Sequence, residues 1–193
     1  MTKLIALLTL VLLFGCTANQ NPKVFISTEM GDIIVELYAD KAPITTANFL
    51  QYVDSEKFNG VGCFYRVVRP DNQPNNPIKI EVVQGGFAID SLIEKKQLLP
   101  IKHENTKETS VLHLDGTISM ARLEPGTASS EFFICIGDQP ELDFGGKRNP
   151  DGQGFAAFGR VIEGMDVVKK IQQLEDNEQY LKKPVFIIEI MRM

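Results

Sequence analysis

The 193-residue sequence contains no tryptophan, only three cysteines and only two histidines. Three cysteines are too few for the disulfide framework of a small secreted scaffold. Two histidines, with no CxxC or HExxH motif, leave little material for a zinc site, so we expect neither a metal nor a cofactor. A net charge of −5 argues against nucleic-acid binding that depends on phosphate contacts.

The rest of the composition is that of an ordinary globular protein. Hydrophobic residues make up 44% and charged residues 23% of the chain, which excludes a disordered or collagen-like protein. At roughly 150 residues per domain, the length allows one domain with a short appendage. We find no internal repeat.

The first 15 residues indicate an export signal. Lys3 supplies a positive start, and an apolar run follows from Leu4 to Phe14. The run is too short to span a bilayer, which needs about 20 residues, but it suits the core of a secretory signal. Gly15 and Cys16 then precede polar residues, an arrangement that resembles a bacterial lipoprotein signal. In such signals the cysteine carries the lipid and becomes the new N-terminus.

This resemblance implies a lipid on Cys16 and a periplasmic location. Thr17 stands where Asp favours retention in the inner membrane, so we expect an anchor in the outer membrane. An ordinary cleaved signal and an uncleaved anchor are the alternatives. The chain then divides into a lipoprotein signal peptide over 1–15, the lipidated cysteine and a polar tether over 16–22, and a folded domain over 23–193.

The remaining sequence is rich in β-prone runs. Pro43 predicts a first helical turn that Asp40 can cap, with Ile44, Leu50 and Val53 recurring at helical spacing. A second helix is predicted over about 164–174, and loops over 69–77 and 145–154. The predicted strands cover residues 24–28, 33–38, 63–68, 78–83, 111–114, 116–121, 131–136, 156–162 and 185–191. Without βαβ alternation, this order favours an antiparallel barrel or sandwich capped by helices.

Five segments spread over the domain carry a more specific signal. They are FYRVV at 64–68, QGG at 84–86, GTISMAR at 116–122, SEFFI at 130–134 and FGRVIEGMDVV at 158–168. In this order they resemble the cyclophilin family of peptidyl-prolyl cis–trans isomerases, and among these the periplasmic bacterial members. The resemblance implies a mainly β fold, an eight-stranded closed antiparallel β-barrel capped by two α-helices. It also implies an external groove that binds proline-containing polypeptides.

The reaction of this family breaks no covalent bond. Rotation about an Xaa-Pro amide is slow because the nitrogen lone pair is delocalised, and a donor aimed at that nitrogen favours the twisted state. Arg66 stands where the family has its catalytic arginine, and Gln84 is the glutamine that helps to orient it. A guanidinium stays charged, so Arg66 can polarise and anchor but cannot act as a base. The structural alternatives are a surface ion pair for Arg66 and a polar residue before a Gly-Gly bulge for Gln84.

The resemblance also implies an apolar proline pocket with Phe133 as its floor. Because neighbouring strand residues face opposite sides, only one of Phe132 and Phe133 can line the groove, and the other belongs to the core. The backbone of Ala121 and Arg122 matches the edge on which the family pairs an extended peptide. The substrate-binding candidates are Phe133, Val82, Ala121, Arg122, Glu131, Leu142 and Phe155.

The sequence departs from the family pattern at several positions. Arg66 and Gln84 are 18 positions apart, about ten more than in compact members, and the 69–77 segment accommodates the surplus. Glu81 and Val82 replace an aromatic and a methionine. Glu131 replaces a glutamine, which predicts pairing with Arg66 or with a substrate N–H. Glu141 replaces an aromatic, which predicts weak cyclosporin binding.

The two histidines and the other two cysteines have structural interpretations. His103 and His113 lack partners at metal-ligand spacing, so we interpret them as structural or surface residues. Cys63 and Cys135 lie in apolar strands, where two buried free thiols are favoured over a disulfide.

We therefore expect an anchored, monomeric prolyl isomerase that acts on exported proteins. The main alternative is a module that binds proline-containing peptides without useful catalysis, and a purely structural lipoprotein is a third. Peptide affinity measured beside isomerase rate separates these possibilities.

Replacing Cys16 by Ser tests the lipid anchor. The variant has no thiol to acylate at that position, so we expect it to move from the membrane fraction to the soluble fraction. Fractionation followed by immunodetection measures this. Membrane association equal to that of the wild type would contradict lipidation at Cys16.

Overall fold

The computed structural model describes residues 21–193, so the expected signal peptide, Cys16 and most of the tether lie outside the described residues. The helices are α1 (Pro43–Asp54), α2 (Asp90–Lys96), α3 (Thr106–Thr109) and α4 (Met165–Gln172). The strands are β1 (Lys23–Thr28), β2 (Gly31–Leu37), β3 (Cys63–Val68), β4 (Val82–Gly86), β5 (Thr117–Met120), β6 (Phe132–Cys135), β7 (Ala156–Glu163), β8 (Asp176–Asn177) and β9 (Tyr180–Arg192).

Eight of these strands form a closed antiparallel barrel, as expected. Their order is β1-β2-β7-β5-β6-β4-β3-β9, and β1 also pairs with β9, which closes the ring. The two-residue strand β8 pairs with β9. Closure leaves no barrel strand with a free edge, and it separates an interior from an exterior on every strand.

Aromatic side chains fill the barrel interior. Phe132 on β6 is fully buried and contacts Phe49, Phe58 and Phe64 with ring centroids 5.4–5.9 Å apart. Gly85 on β4 faces the same cluster, where an added Cβ would lie 3.0 Å from Phe64 and 3.1 Å from Phe132. Interiors packed at this density leave no room for a peptide, so any peptide site lies on the exterior.

Helix α1 begins at Pro43 as predicted, but Asp40 does not cap it. The buried carboxylate of Glu104 accepts hydrogen bonds from the backbone N–H of Ile44 at 3.2 Å and of Thr45 at 2.7 Å. It also accepts from the Thr45 hydroxyl at 2.7 Å. A carboxylate here satisfies free N–H groups of the first turn and complements the helix dipole.

The buried face of α1 agrees with the expected one at Leu50 and Val53, which are 6% and 2% exposed, but not at Ile44. Ile44 is 39% exposed, whereas Thr45 and Tyr52 are fully buried beside Phe49. The burial of Thr45 is favourable because Glu104 accepts from its hydroxyl group. The pairing of Thr45 with a distant carboxylate therefore accounts for a buried polar residue that hydropathy alone does not predict.

Two of the predicted strands are wrong, since one is shifted along the chain and the other does not form. The 78–83 strand is shifted, since the ladder begins at Val82 and runs to Gly86. Residues 111–114 form no strand, because Leu114 N–H bonds to the Thr117 hydroxyl and to Leu112 O instead of to a neighbouring strand. Helices α2 and α3 were not expected. The prediction for α4 is close, since that helix covers Met165–Gln172.

The cysteines at positions 63 and 135 are buried and free, as interpreted. Burial raises the pKa of Cys63 to about 11 and that of Cys135 above its ordinary value. Thiols this hard to ionise behave as small apolar groups. Within residues 21–193, no helix has the length and apolar character required to cross a bilayer.

Replacing Glu104 by Ala tests the distant cap of α1. The change leaves buried donors of the helix start without an acceptor, so we expect the free energy of unfolding to fall by about 3 kcal/mol. Urea denaturation measures this. Glu124→Ala is the control, because Glu124 is exposed and its side chain forms no hydrogen bond within residues 21–193. Equal stability of the two variants would contradict the role of Glu104.

Candidate active site

A groove of about 360 Å³ lies on the barrel exterior, beside β3, β4 and β6. It brings together all eight of the expected catalytic and substrate-binding residues other than Glu131. The expected residues that line it are Arg66, Gln84, Val82, Phe133, Ala121, Arg122, Leu142 and Phe155, and Ile80, Leu123, Arg148, Asn149 and Tyr180 also line it.

The groove has an apolar floor that is separate from the barrel core. Alternation along β6 puts Phe132 inside the barrel and Phe133 outside it, as expected. Phe133 packs with Val82 and Leu142, and Phe155 meets its ring edge-on at a centroid distance of 5.3 Å. Ile80 joins this cluster and supplies apolar surface near the position where the family pattern has an aromatic residue.

The guanidinium of Arg66 is held between two glutamines. Arg66 on β3 lies opposite Gln84 on β4 in the ladder, and its Nη1 donates to Gln84 Oε1 at 2.9 Å. From the other side, Arg66 Nε and Nη2 donate to Gln179 Oε1 at 3.1 and 2.5 Å. Both acceptors are neutral amide oxygens, so they fix the guanidinium without cancelling its charge.

Gln179 lies in a strained turn between β8 and β9. Glu178 and Gln179 both have positive φ, at 51° and 78°. Two consecutive positive φ values are typical of the hairpin turn that prefers Asn-Gly, and other residues pay a conformational cost there. Gln179 Nε2 also donates to Asn72 O at 3.0 Å, which ties the turn to the 69–77 segment.

Glu131 was expected to bind substrate or to pair with Arg66, but it does not line the groove and its hydrogen-bond partners are other residues. Its carboxylate accepts from Tyr65 OH at 2.6 Å, Phe87 N–H at 2.9 Å and Ser130 Oγ at 3.0 Å. Tyr65 OH in turn accepts from Gln84 Nε2 at 2.6 Å. Burial and the charge of Glu131 raise the pKa of Tyr65, so the phenol keeps its proton. Glu131 therefore orients Gln84 indirectly, by fixing the Tyr65 hydroxyl that accepts a hydrogen bond from the Gln84 amide.

His113 supports the floor of the groove from below. Its buried ring stacks on Phe133 at a centroid distance of 5.9 Å. Its Nδ1 lies 2.7 Å from Asp143 Oδ1, and its Nε2 lies 2.9 Å from Ser119 Oγ. With both ring nitrogens paired to protein groups, His113 has the structural role that the sequence indicated.

Arg122 forms one wall of the groove. It donates to both carboxylate oxygens of Asp151 at 2.8 and 3.0 Å and to Gly154 O at 2.6 Å. The hydrogen bonds from Arg122 lower the pKa of Asp151. The Arg122 guanidinium also lies over the Phe155 ring, 5.2 Å from its centroid. Its backbone N–H and C=O form no hydrogen bond within residues 21–193, so this edge can pair with a peptide.

The 69–77 segment is fixed to the body of the protein. Arg69 forms a salt bridge with Asp176 and donates to Gln172 O at 2.7 Å. The buried amide of Gln73 donates to Arg69 O and Ile80 O at 2.7 and 2.8 Å. The segment therefore brings Ile80 to the groove and Asn72 to Gln179.

Several groove residues, and Gln179, which holds Arg66 but does not line the groove, were not found from the sequence. Ile80, Gln179 and Arg148 lie in or beside loops whose course depends on contacts distant in sequence. The positive-φ turn at 178–179 lacks its usual Gly or Asn, so no turn signal marked Gln179. In the part of the chain that the structure describes, no cluster of His, Cys, Asp and Glu could hold a metal ion.

Comparison with known proteins agrees with this geometry. Residues 23–192 match the family model described as cyclophilin type peptidyl-prolyl cis-trans isomerase/CLD. The chain belongs to the cyclophilin family. It is an enzyme of the peptidyl-prolyl cis–trans isomerase class, as its homologues are named.

Bacterial peptidyl-prolyl cis-trans isomerases align over most of the chain. A peptidyl-prolyl cis-trans isomerase of Acinetobacter baylyi is 36% identical over 196 aligned positions, which cover 98% of this chain and 95% of that protein. Peptidyl-prolyl cis-trans isomerase B of Escherichia coli is 34% identical over 146 positions, covering 75% and 80%.

The fold is shared with more distant cyclophilins. A crystal structure of a Cryptosporidium parvum cyclophilin superposes with a TM-score of 0.70 at 20% identity, covering 90% of this chain and 98% of that one. A second structure, determined in the presence of the dipeptide Ala-Pro, superposes with a TM-score of 0.69 at 21% identity, covering 89% and 98%.

Replacing Gln179 by Gly tests its support of Arg66. Glycine relieves the positive φ, which offsets part of the stability lost with the side-chain hydrogen bonds to Arg66 and Asn72, so we expect the free energy of unfolding to change by less than about 1 kcal/mol. Loss of the acceptor frees one side of Arg66, so we expect isomerase kcat/KM to fall roughly ten-fold. Glu178→Gly is the matched control, which relieves the neighbouring φ and leaves the Arg66 contacts in place. Equal rates for the two variants would contradict the role of Gln179.

Proposed function

We propose that the protein accelerates Xaa-Pro rotation by an Arg66-assisted mechanism in the external groove. The observation that carries this proposal is a guanidinium held from both sides by Gln84 and Gln179, beside an apolar floor. A fixed donor beside an apolar pocket favours the twisted amide over the planar one, because the twisted nitrogen has a localised lone pair that can accept a hydrogen bond.

The charge of Arg66 is available to the substrate. Arg66 forms no salt bridge with any carboxylate of residues 21–193, and its two partners are neutral. Its donors are already oriented before the peptide arrives, so less ordering is required in the transition state. This preorganisation separates a catalytic arginine from a surface arginine that a carboxylate neutralises.

The floor and the edge have complementary roles in this mechanism. Phe133, Leu142 and Phe155 grip the prolyl ring while the carbonyl before it rotates, and Arg66 donates to the prolyl nitrogen. The free backbone groups of Arg122 pair with the extended peptide, which supplies affinity that does not depend on its sequence. The reaction needs no nucleophile, since no covalent bond breaks.

Two departures from the family pattern lie away from this groove. The Glu81 carboxylate accepts from Gln172 Nε2 at 3.2 Å, and Glu131 is engaged by Tyr65. Together with Val82 and Glu141, these replacements are the features that favour a binding module without catalysis. Because the side chains of Glu81 and Glu131 have partners outside the groove, and Glu141 does not line it, we favour the enzyme over the binding module.

We further propose that the enzyme is exported, lipidated at Cys16 and held at the outer membrane of a bacterium. The support comes from the sequence, namely the apolar run from Leu4 to Phe14, Cys16 and the polar residues after it. Its substrates would then be unfolded or extended segments of exported proteins, and we expect it to act as a monomer.

Replacing Arg66 by Ala tests the proposed mechanism. Loss of the guanidinium should lower isomerase kcat/KM on the order of 100-fold in a proline-limited refolding assay, with an unchanged thermal midpoint. The kcat/KM of Arg66→Lys should lie between those of the wild type and Arg66→Ala, because an ammonium group keeps the charge but lacks the planar set of N–H donors of a guanidinium. Arg160→Ala is the control, since Arg160 is an exposed arginine on a barrel strand. A wild-type rate for Arg66→Ala would exclude the mechanism.

A further inference from the structure

A second cavity of about 580 Å³ adjoins the groove. The 69–77 segment forms one side of it, through Asn72 to Asn76, and the turn with Glu178 and Gln179 forms the other. Arg148 lines both this outer cavity and the groove. A peptide seated at Arg66 can therefore place a neighbouring side chain against Arg148.

The Arg148 guanidinium is held in place by hydrogen bonds from one of its three nitrogens, and the other two nitrogens have no acceptor within residues 21–193. Its Nη1 donates to Gln73 Oε1 at 2.9 Å and to Ile78 O at 2.6 Å, which accounts for both hydrogens of that nitrogen. Within residues 21–193, Nε and Nη2 have no acceptor. Nε–H and Nη2–H together form the fork that matches a carboxylate with two parallel hydrogen bonds.

Arg148 also lacks a counter-charge. Arg69, Arg122 and Arg192 each pair with an Asp, but Arg148 forms no salt bridge within the described chain. Burial, and secondarily the charge of Arg66, lowers the pKa of Arg148. Glu178 lines the outer cavity but not the groove. The groove of an acidic protein thus carries two neighbouring positive charges that no carboxylate of residues 21–193 neutralises.

We propose that Arg148 is a specificity residue that makes the enzyme prefer proline-containing segments with an Asp or Glu beside the Xaa-Pro pair. The carboxylate of such a residue pairs with the free fork of Arg148 and offsets its repulsion with Arg66. This inference rests on the proposed function, because it assumes that the groove binds the Xaa-Pro peptide.

The test uses acetylated, amidated peptides that contain one Xaa-Pro bond and carry either Glu or Gln at one position. The position is varied from two residues before the proline to two residues after it. NMR exchange spectroscopy measures the isomerisation rate with the full-length protein. We expect Glu at one position or more to raise kcat/KM roughly three- to ten-fold over Gln, in the range of partly exposed charge pairs.

Two variants assign this preference to Arg148. In Arg148→Gln the Glu-to-Gln ratio should fall to about 1, and in Arg148→Glu it should fall below 1. Lys147→Gln removes the same charge at the adjacent, exposed residue and should keep the wild-type ratio. Raising the ionic strength should lower the ratio in the wild type, because salt screens partly exposed charges.

The outcomes separate the two proposals. A measurable rate with a ratio of 1 at every position in the wild type would overturn the role of Arg148 and leave the isomerase mechanism standing. A preference that survives in Arg148→Gln would also overturn it. No isomerisation of any peptide would reject the proposed function itself.

Discussion

Closure of the barrel through the pairing of β1 with β9 decides where the chemistry of this protein can take place. A closed barrel with Phe132 and its aromatic neighbours inside has no interior space for a peptide. The exterior of β3, β4 and β6 is therefore the surface that carries the groove. Because the ladder fixes Arg66 opposite Gln84 and turns Phe133 outward, the donor and the apolar floor share one face.

The groove combines fixed arginines with acceptors that leave their charge intact. Gln84 and Gln179 orient Arg66, and Gln73 with a backbone carbonyl orients Arg148. Carboxylates at these places would neutralise the guanidinium groups and weaken their pull on a substrate. Arg122, which forms a wall, has such a carboxylate partner in Asp151. Within the described groove, the guanidinium groups of Arg66 and Arg148 therefore keep their full charge, whereas that of Arg122 is paired with a carboxylate.

The parts of this site that depend on strand alternation and family motifs could be predicted from the sequence. Arg66, Gln84 and Phe133 come together because their strands are neighbours in the barrel. Contacts between distant loops could not be predicted. Gln179 reaches Arg66 across 113 positions, and Glu104 reaches Thr45 across 59, without any local pattern that marks either pair. The same long-range pairing explains why Thr45 is buried on α1 although hydropathy does not indicate it.

The final hairpin, β8 with β9, is the last part of the fold to be synthesised, and it completes both the barrel and the support of Arg66. Synthesis delivers the N-terminal strands first, yet β9 supplies the partner that closes β1 and the preceding turn supplies Gln179. Until the last residues arrive, the barrel has an open edge and Arg66 lacks one of its two supports. Closure of the barrel and the second support of Arg66 are therefore acquired together, in one late step.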